Sequence, residues 1–295
     1  MERRKTELSK NIKLAKHSGF CYGVKRAVET VKKLKAENPQ KNIFILGELI
    51  HNSQVIEELE NLGIKTITEL PEKGSGICVI RSHGASPEIF EQITAAGFEL
   101  VDLTCPDVKK VQQKAIQLVK EGYFLIIVGK AEHPEVIAIK ASAQRYGSNI
   151  FVASDVLQLK DVEQKIKEHK KVGVVVQTTQ RISTLNPIVE RLTSISKELA
   201  IANTICASTT LRQNEAKELA RESDLVIVVG SKKSANTTHL AEILTGVSKT
   251  IHIEDDKELE NYKEIIDNAY NIAITAGAST PETIIENVIY RLKGG

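Results

Sequence analysis

The chain predicts an α/β protein of three pseudo-threefold-related α/β units with mostly parallel sheets around a central cavity. Three observations predict it. Short Val- and Ile-rich runs alternate with helical patterns, the alternation recurs three times along 295 residues, and each recurrence is marked by one cysteine.

The first unit opens with the strand-like run "IKLAKHSGF", which leads into Cys21 and a helical pattern. "NIFILG" follows as the next strand, "SQVIEELENLG" as a helix, and "GICVIRS" as the last strand before "HGASPE". The second unit repeats this with "FELVDLT" before Cys105, then "YFLIIVG" and "KVGVVVQ". The third has "LAIANTI" before Cys206, the helix "RQNEAKELARES", and the strands "DLVIVVG" and "NIAITAG". The cysteines lie 84 and 101 residues apart, and Gly47, Gly129 and Gly230 follow them by 26, 24 and 24 residues. Four residues beyond each glycine stands a polar group: His51, His133 and Ser234. The final strands also end in small or polar residues, at His83, at Thr178 and Thr179, and at Ser279. The expected division is a tail at 1–10, units at 11–98 and 99–198, and a third at 199–295 that includes the C-terminal segment.

Composition excludes several classes. Forty Lys and Arg against 38 Asp and Glu leave a net charge of +2, with no electrostatic footprint for nucleic acid or an anionic membrane. The opening "MERRKTELSKNIK" has no apolar centre, and no run reaches the roughly 18 apolar residues of a membrane span. A cytoplasmic location is expected. Four cysteines in a reducing compartment point to thiol or metal chemistry rather than a disulfide framework.

In open parallel sheets, ligands sit beyond the carboxyl ends of the strands, where every polar residue above is placed. With those ends turned inward, Cys21, Cys105 and Cys206 would converge and bind either zinc or an iron–sulfur cluster. Structural zinc sites usually take four ligands, often in close pairs, and no C-x-x-C occurs here. A cubane cluster with three protein thiolates leaves its fourth iron open. Cys78, inside the apolar "GICVIRS", reads as core.

His51, His83, Ser234, Asn236 and Ser279 all lie at helix starts, where free N–H groups favour a phosphate. Each taken alone also reads as a cap or turn residue. No Walker loop or G-x-G-x-x-G accompanies them. Glu135, beyond His133 and Pro134, reads either as a general acid kept protonated by desolvation or as a first-turn glutamate favoured by the helix dipole.

"GFCYGV", "GELIHN", "RSHG", "DLTCP", "EHPEV", "QTTQ", "TIC" with "RQ" after it, "GSKKSAN" and "TAGASTPE" occur in that order from about residue 12. Together they resemble the 4-hydroxy-3-methylbut-2-enyl diphosphate reductases. The resemblance implies one 4Fe-4S cluster per chain on Cys21, Cys105 and Cys206, its open iron taking the substrate's hydroxyl. It implies reductive loss of that hydroxyl as water, giving isopentenyl and dimethylallyl diphosphates, the last step of the methylerythritol phosphate pathway. It assigns the diphosphate to His51, His83, Ser234, Asn236 and Ser279, and protonation to Glu135 with His133 and Thr178, with Thr209 near the substrate. No flavin or nicotinamide motif is present, so electrons must come from outside, and the resemblance implies a ferredoxin or flavodoxin as their donor. Ala235 stands where many members of the family carry serine, so one diphosphate hydroxyl is missing. Quinolinate synthase, with three cysteines and an open iron but no diphosphate site, and a metal-stabilised binding module are the alternatives.

Overall fold

The computed structural model describes residues 10–294. The chain runs β1 (Asn11–Leu14), α1 (Tyr22–Glu37), β2 (Ile43–Leu46), α2 (Ser53–Asn61), β3 (Ile64–Ile67), β4 (Ile77–Ile80) and α3 (Pro87–Ala95). It continues through β5 (Glu99–Asp102), α4 (Pro106–Lys120), β6 (Phe124–Val128), α5 (Pro134–Gln144), β7 (Ile150–Ala153), α6 (Glu163–His169), β8 (Lys171–Val176) and α7 (Ile182–Ile195). It ends with β9 (Glu198–Ile201), α8 (Ala207–Arg221), β10 (Leu225–Val229), α9 (Ala235–Thr245), β11 (Thr250–Ile253), α10 (Lys263–Asp267), β12 (Asn271–Ala276) and α11 (Glu282–Leu292).

These strands form three four-stranded sheets in the orders β1-β12-β10-β11, β3-β2-β4-β5 and β7-β6-β8-β9. Every pairing is parallel. The inner strands are apolar on both faces because helices cover both. In β10, Leu225, Ile227 and Val229 pack with α11, while Val226 and Val228 pack with residues of α8 and α9. In β6, Phe124, Ile126 and Val128 face α7, and Leu125 and Ile127 face α4 and α5. Each such fully buried side chain stabilises the fold by roughly 1.5–3 kcal/mol. Cys78 belongs to this interior: it is fully buried in β4, and burial pushes its thiol up to about 11.

The three sheets are completed by strands exchanged along the chain. The strand that opens each cysteine-bearing stretch closes the sheet of another: β1 pairs with β12, β5 with β4, and β9 with β8. The physical reason lies in the helix that follows. α4 leaves β5 and packs on α5, β6 and β8, and α8 leaves β9 and packs on α9 and β12, so the chain changes sheets at the cysteine between strand and helix. By compactness the chain falls into two units. One comprises the residues up to Cys21, His51–Ser53 and those from Ala207; the other is Tyr22–Ile50 with Gln54–Cys206. The first holds one sheet and the second holds two. Of the tail at 1–10, all but Lys10 lies outside the described residues; the Lys10 ammonium donates to the carbonyls of Ile266 and Ala269.

Candidate active site

Each sheet reverses its winding between its two inner strands, and the loops beyond those strands are the natural ligand positions of such a sheet. One device recurs there. The glycine after the first inner strand donates to the outer strand, from Gly47 to Ile67 O (2.8 Å), Gly129 to Ala153 O (3.0 Å) and Gly230 to Ile253 O (2.8 Å). The loop after the second inner strand receives the cysteine's amide, from Cys105 to Ser82 O (2.9 Å), Cys206 to Thr178 O (3.0 Å) and Cys21 to Ala278 O (3.2 Å).

The larger unit holds His83, Cys105, His133, Glu135, Thr178 and Cys206. His133 caps α5: its Nδ1 accepts the Glu135 N–H at 3.2 Å. Glu135 lies in the first turn of that helix, yet its carboxylate does not serve the helix. Its oxygens accept the Thr178 N–H (2.6 Å) and the Thr178 hydroxyl (2.8 Å). Glu135 is 1% exposed, and burial outweighs both Thr178 hydrogen bonds to push its carboxyl up to about 7. Thr178 thus ties the acid to Cys206, whose amide its carbonyl accepts. The His83 ring meets that of His133 edge to face, with centroids 5.5 Å apart. Cys105 occupies the N-cap of α4, followed by Pro106, and its thiol donates to the Tyr22 hydroxyl at 3.9 Å. Arg26 of α1 donates to the carbonyls of Leu103 (3.1 Å) and Thr104 (2.8 Å), which fixes the approach to Cys105.

The smaller unit holds Cys21, His51, Thr209, Ser234, Asn236 and Ser279. Ser234 is the N-cap residue of α9, but its hydroxyl makes no capping bond; Asn236 sits in the first turn, and both are buried. Ser279 is buried and donates to the carbonyl of His51 (3.3 Å). Its loop lies against α9 so closely that a Cβ on Gly277 would fall 1.9 Å from Thr237 Oγ1. The Asn236 amide nitrogen and the Thr237 hydroxyl are buried without a hydrogen-bond partner, as are the Thr275 hydroxyl and the Gln213 amide nitrogen. Buried polar groups of this kind are rare and mark a place built for a polar guest or water. Thr209 is buried in the first turn of α8.

Sequence reasoning passed over the residues that brace these loops. Buried Arg212 of α8 donates to the carbonyls of Ala276 and of Gly19, two residues before Cys21. Glu215 accepts the amides of Lys16 and His17 and the His17 ring, all at 2.7 Å; burial opposes its ionisation, but these three groups outweigh it and hold the carboxyl below its usual range. Arg212 stood within the "RQ" that follows "TIC" with no role assigned to it, and Glu215 had no signal beyond its place on the same helix. Cys21, Cys105 and Cys206 are each partly buried, each sits at a strand-to-helix handover, and none is in a disulfide. Thiolates suit the ligation of soft metals such as iron, and the spacing of these cysteines along the chain lacks the close pairs of a structural zinc site.

These features define a class: α/β proteins with parallel four-stranded sheets, carrying cysteines and buried polar groups at their strand-to-helix handovers. The chain matches the LytB protein family over residues 12–293 and belongs to it. It is 40% identical over 283 residues to a 4-hydroxy-3-methylbut-2-enyl diphosphate reductase of Geobacter sulfurreducens, covering 96% of each chain. The Aquifex aeolicus protein of the same name is 39% identical over 285 residues, again 96% of each chain. A solved (E)-4-hydroxy-3-methyl-but-2-enyl diphosphate reductase, the terminal enzyme of the non-mevalonate pathway, aligns with a TM-score of 0.71 at 37% identity, over 96% of this chain and 99% of that one. The E-1-hydroxy-2-methyl-but-2-enyl-4-diphosphate reductase of Plasmodium falciparum aligns with a TM-score of 0.87 at 28% identity, over 96% and 88%.

Proposed function

We propose that this protein reduces 4-hydroxy-3-methylbut-2-enyl diphosphate to isopentenyl and dimethylallyl diphosphates, the last step of the methylerythritol phosphate pathway, using one 4Fe-4S cluster held by Cys21, Cys105 and Cys206. The observation that carries the reading is the kinship with named reductases over 96% of both chains. Nothing in the fold favours a quinolinate synthase or a metal-stabilised binding module. In the reaction a C–O bond breaks, the hydroxyl leaves as water, and two electrons and two protons enter. When bound, the cluster supplies the electrons and an open iron that acts as a Lewis acid on the leaving oxygen.

The chain's own residues do the rest. His51, His83, Ser234, Asn236 and Ser279 hold the diphosphate, and binding energy from that remote group positions the hydroxyl. Thr209 lines the substrate's path. Glu135, with its carboxyl pushed up to about 7 by burial, stays protonated in about half of the molecules at neutral pH, where an ordinary carboxyl is fully ionised. Protonated at the oxygen that faces Thr178 Oγ1, it donates to that hydroxyl, which passes its own proton onward. His133, whose Nδ1 is engaged by the α5 backbone, presents Nε2 as its donor. Electrons come from a ferredoxin or flavodoxin, in the cytoplasm.

Anaerobically purified protein tests the cofactor. About four irons with matching sulfide per chain are expected, as a three-cysteine cubane implies. Stoichiometric zinc without sulfide would refute it.

A further inference from the structure

We infer that the surface around Tyr22, at the facing starts of α1 and α4, is where an acidic electron-carrier protein docks and passes its electron toward Cys105. This rests on the cluster reading above. Any external donor must bring its redox centre close to one of the three cysteines, and Cys105 has a protein-built route to solvent. Its Sγ contacts the Tyr22 hydroxyl at 3.9 Å, and the tyrosine is 49% exposed. An exposed aromatic ring with its polar tip on a cluster ligand joins partner to ligand without a gap of water.

The charge around the ring selects the partner. Lys110 bonds Asp107 (3.1 Å), and Lys109 bonds Asp102 (2.6 Å). In both pairs the acid lies beneath and the lysine outside, with side chains 74% exposed over 22% for Lys110 and Asp107, and 46% over 26% for Lys109 and Asp102. Lys25, one helical turn from Tyr22 on α1, is 66% exposed and lies 3.9 Å from the Glu29 carboxylate, itself 64% exposed. Three exposed ammonium groups therefore stand near the starts of α1 and α4, in a chain whose net charge of only +2 provides no general attraction. Complementary patches of this kind raise association rates and make them sensitive to salt. At the surface one electron leaves the reduced carrier and enters this protein. No bond forms or breaks there, the carrier is oxidised, and two such visits supply one turnover.

The test uses the holoenzyme, an acidic flavodoxin and, as a small donor, reduced methyl viologen. Cluster reduction is followed by stopped-flow absorbance, and binding by titrating holoenzyme into isotope-labelled flavodoxin. Lys25→Glu combined with Lys110→Glu should lower flavodoxin affinity and the second-order reduction rate by about tenfold or more, and should flatten their salt dependence. Lys25→Glu alone should give an intermediate loss. Reduction by methyl viologen should not slow in either variant. Equal reduction of wild type and variants by flavodoxin, or a wild-type rate indifferent to salt, would overturn the docking surface alone. A wild-type protein with iron that neither donor reduces, or with no iron, would overturn the cluster reading and the docking surface with it.

Discussion

Glu135 concentrates the chemistry in one side chain, because its burial and its Thr178 partner act in opposite directions and burial prevails. A carboxyl raised from about 4.5 to about 7 binds a proton in the folded chain that the unfolded chain has already released. Its contribution to stability is therefore complete below about pH 4.5 and is lost as pH rises to about 7, with a span of roughly 3 kcal/mol. Denaturant titrations across that window should show the decline in wild type and a flatter profile in Glu135→Gln. The same variant should keep its iron and its affinity for substrate yet turn over about 10²–10⁴-fold more slowly. A helix-start glutamate would leave the rate near normal. At His83 the expectation is reversed: alanine should retain the iron and weaken substrate binding by about 10- to 150-fold, the effect of losing a charge-assisted hydrogen bond. Unchanged affinity in a direct binding assay would place the diphosphate elsewhere.

Loops and helices decide how precisely such side chains are held. Gly277 has no room for a Cβ, since Thr237 Oγ1 would lie 1.9 Å away, and Thr237 belongs to the turn of α9 that carries Asn236. Gly277→Ala should cost about 1–3 kcal/mol in thermal or denaturant unfolding and loosen diphosphate binding. Gly246→Ala, whose added Cβ would meet nothing closer than Ile243 O at 3.6 Å, is the harmless control. Serine at Cys21, Cys105 or Cys206 should abolish iron retention. Cys78→Ser should retain iron and lose about 1–3 kcal/mol, from a hydroxyl buried in the core of β4. The inner strands were legible because parallel strands covered on both faces read as unbroken runs such as "FLIIV" and "LVIVV". The partnering of β1, β5 and β9 was not, since an apolar pattern says which residues seek cover and not which sheet supplies it. The cysteines and His133 stood out through their repeat positions. Arg26 and Glu215 did not, and Arg212 was quoted without its role, because a charge on an amphipathic helix reads as solvated until the backbone loop it bonds is known.

At the scale of the whole chain, both divisions between compact units that touch a cysteine fall directly after it, at Cys21 and at Cys206. The third cysteine, Cys105, stands where the chain leaves one sheet of the larger unit for the other. Under the proposed ligation by these three cysteines, iron binding and folding are interdependent. Holoprotein should accordingly unfold at higher temperature than protein stripped of iron under anaerobic conditions, and equal transitions would argue against cysteines that act as a set. No helix among the described residues is long and apolar enough to cross a membrane. The central claim is tested most directly by analysing what the reduced holoenzyme makes from 4-hydroxy-3-methylbut-2-enyl diphosphate without oxygen. The account predicts isopentenyl and dimethylallyl diphosphates in the phosphorus NMR spectrum, with two electrons consumed per molecule. Substrate recovered unchanged from protein with a full complement of iron and sulfide would contradict it.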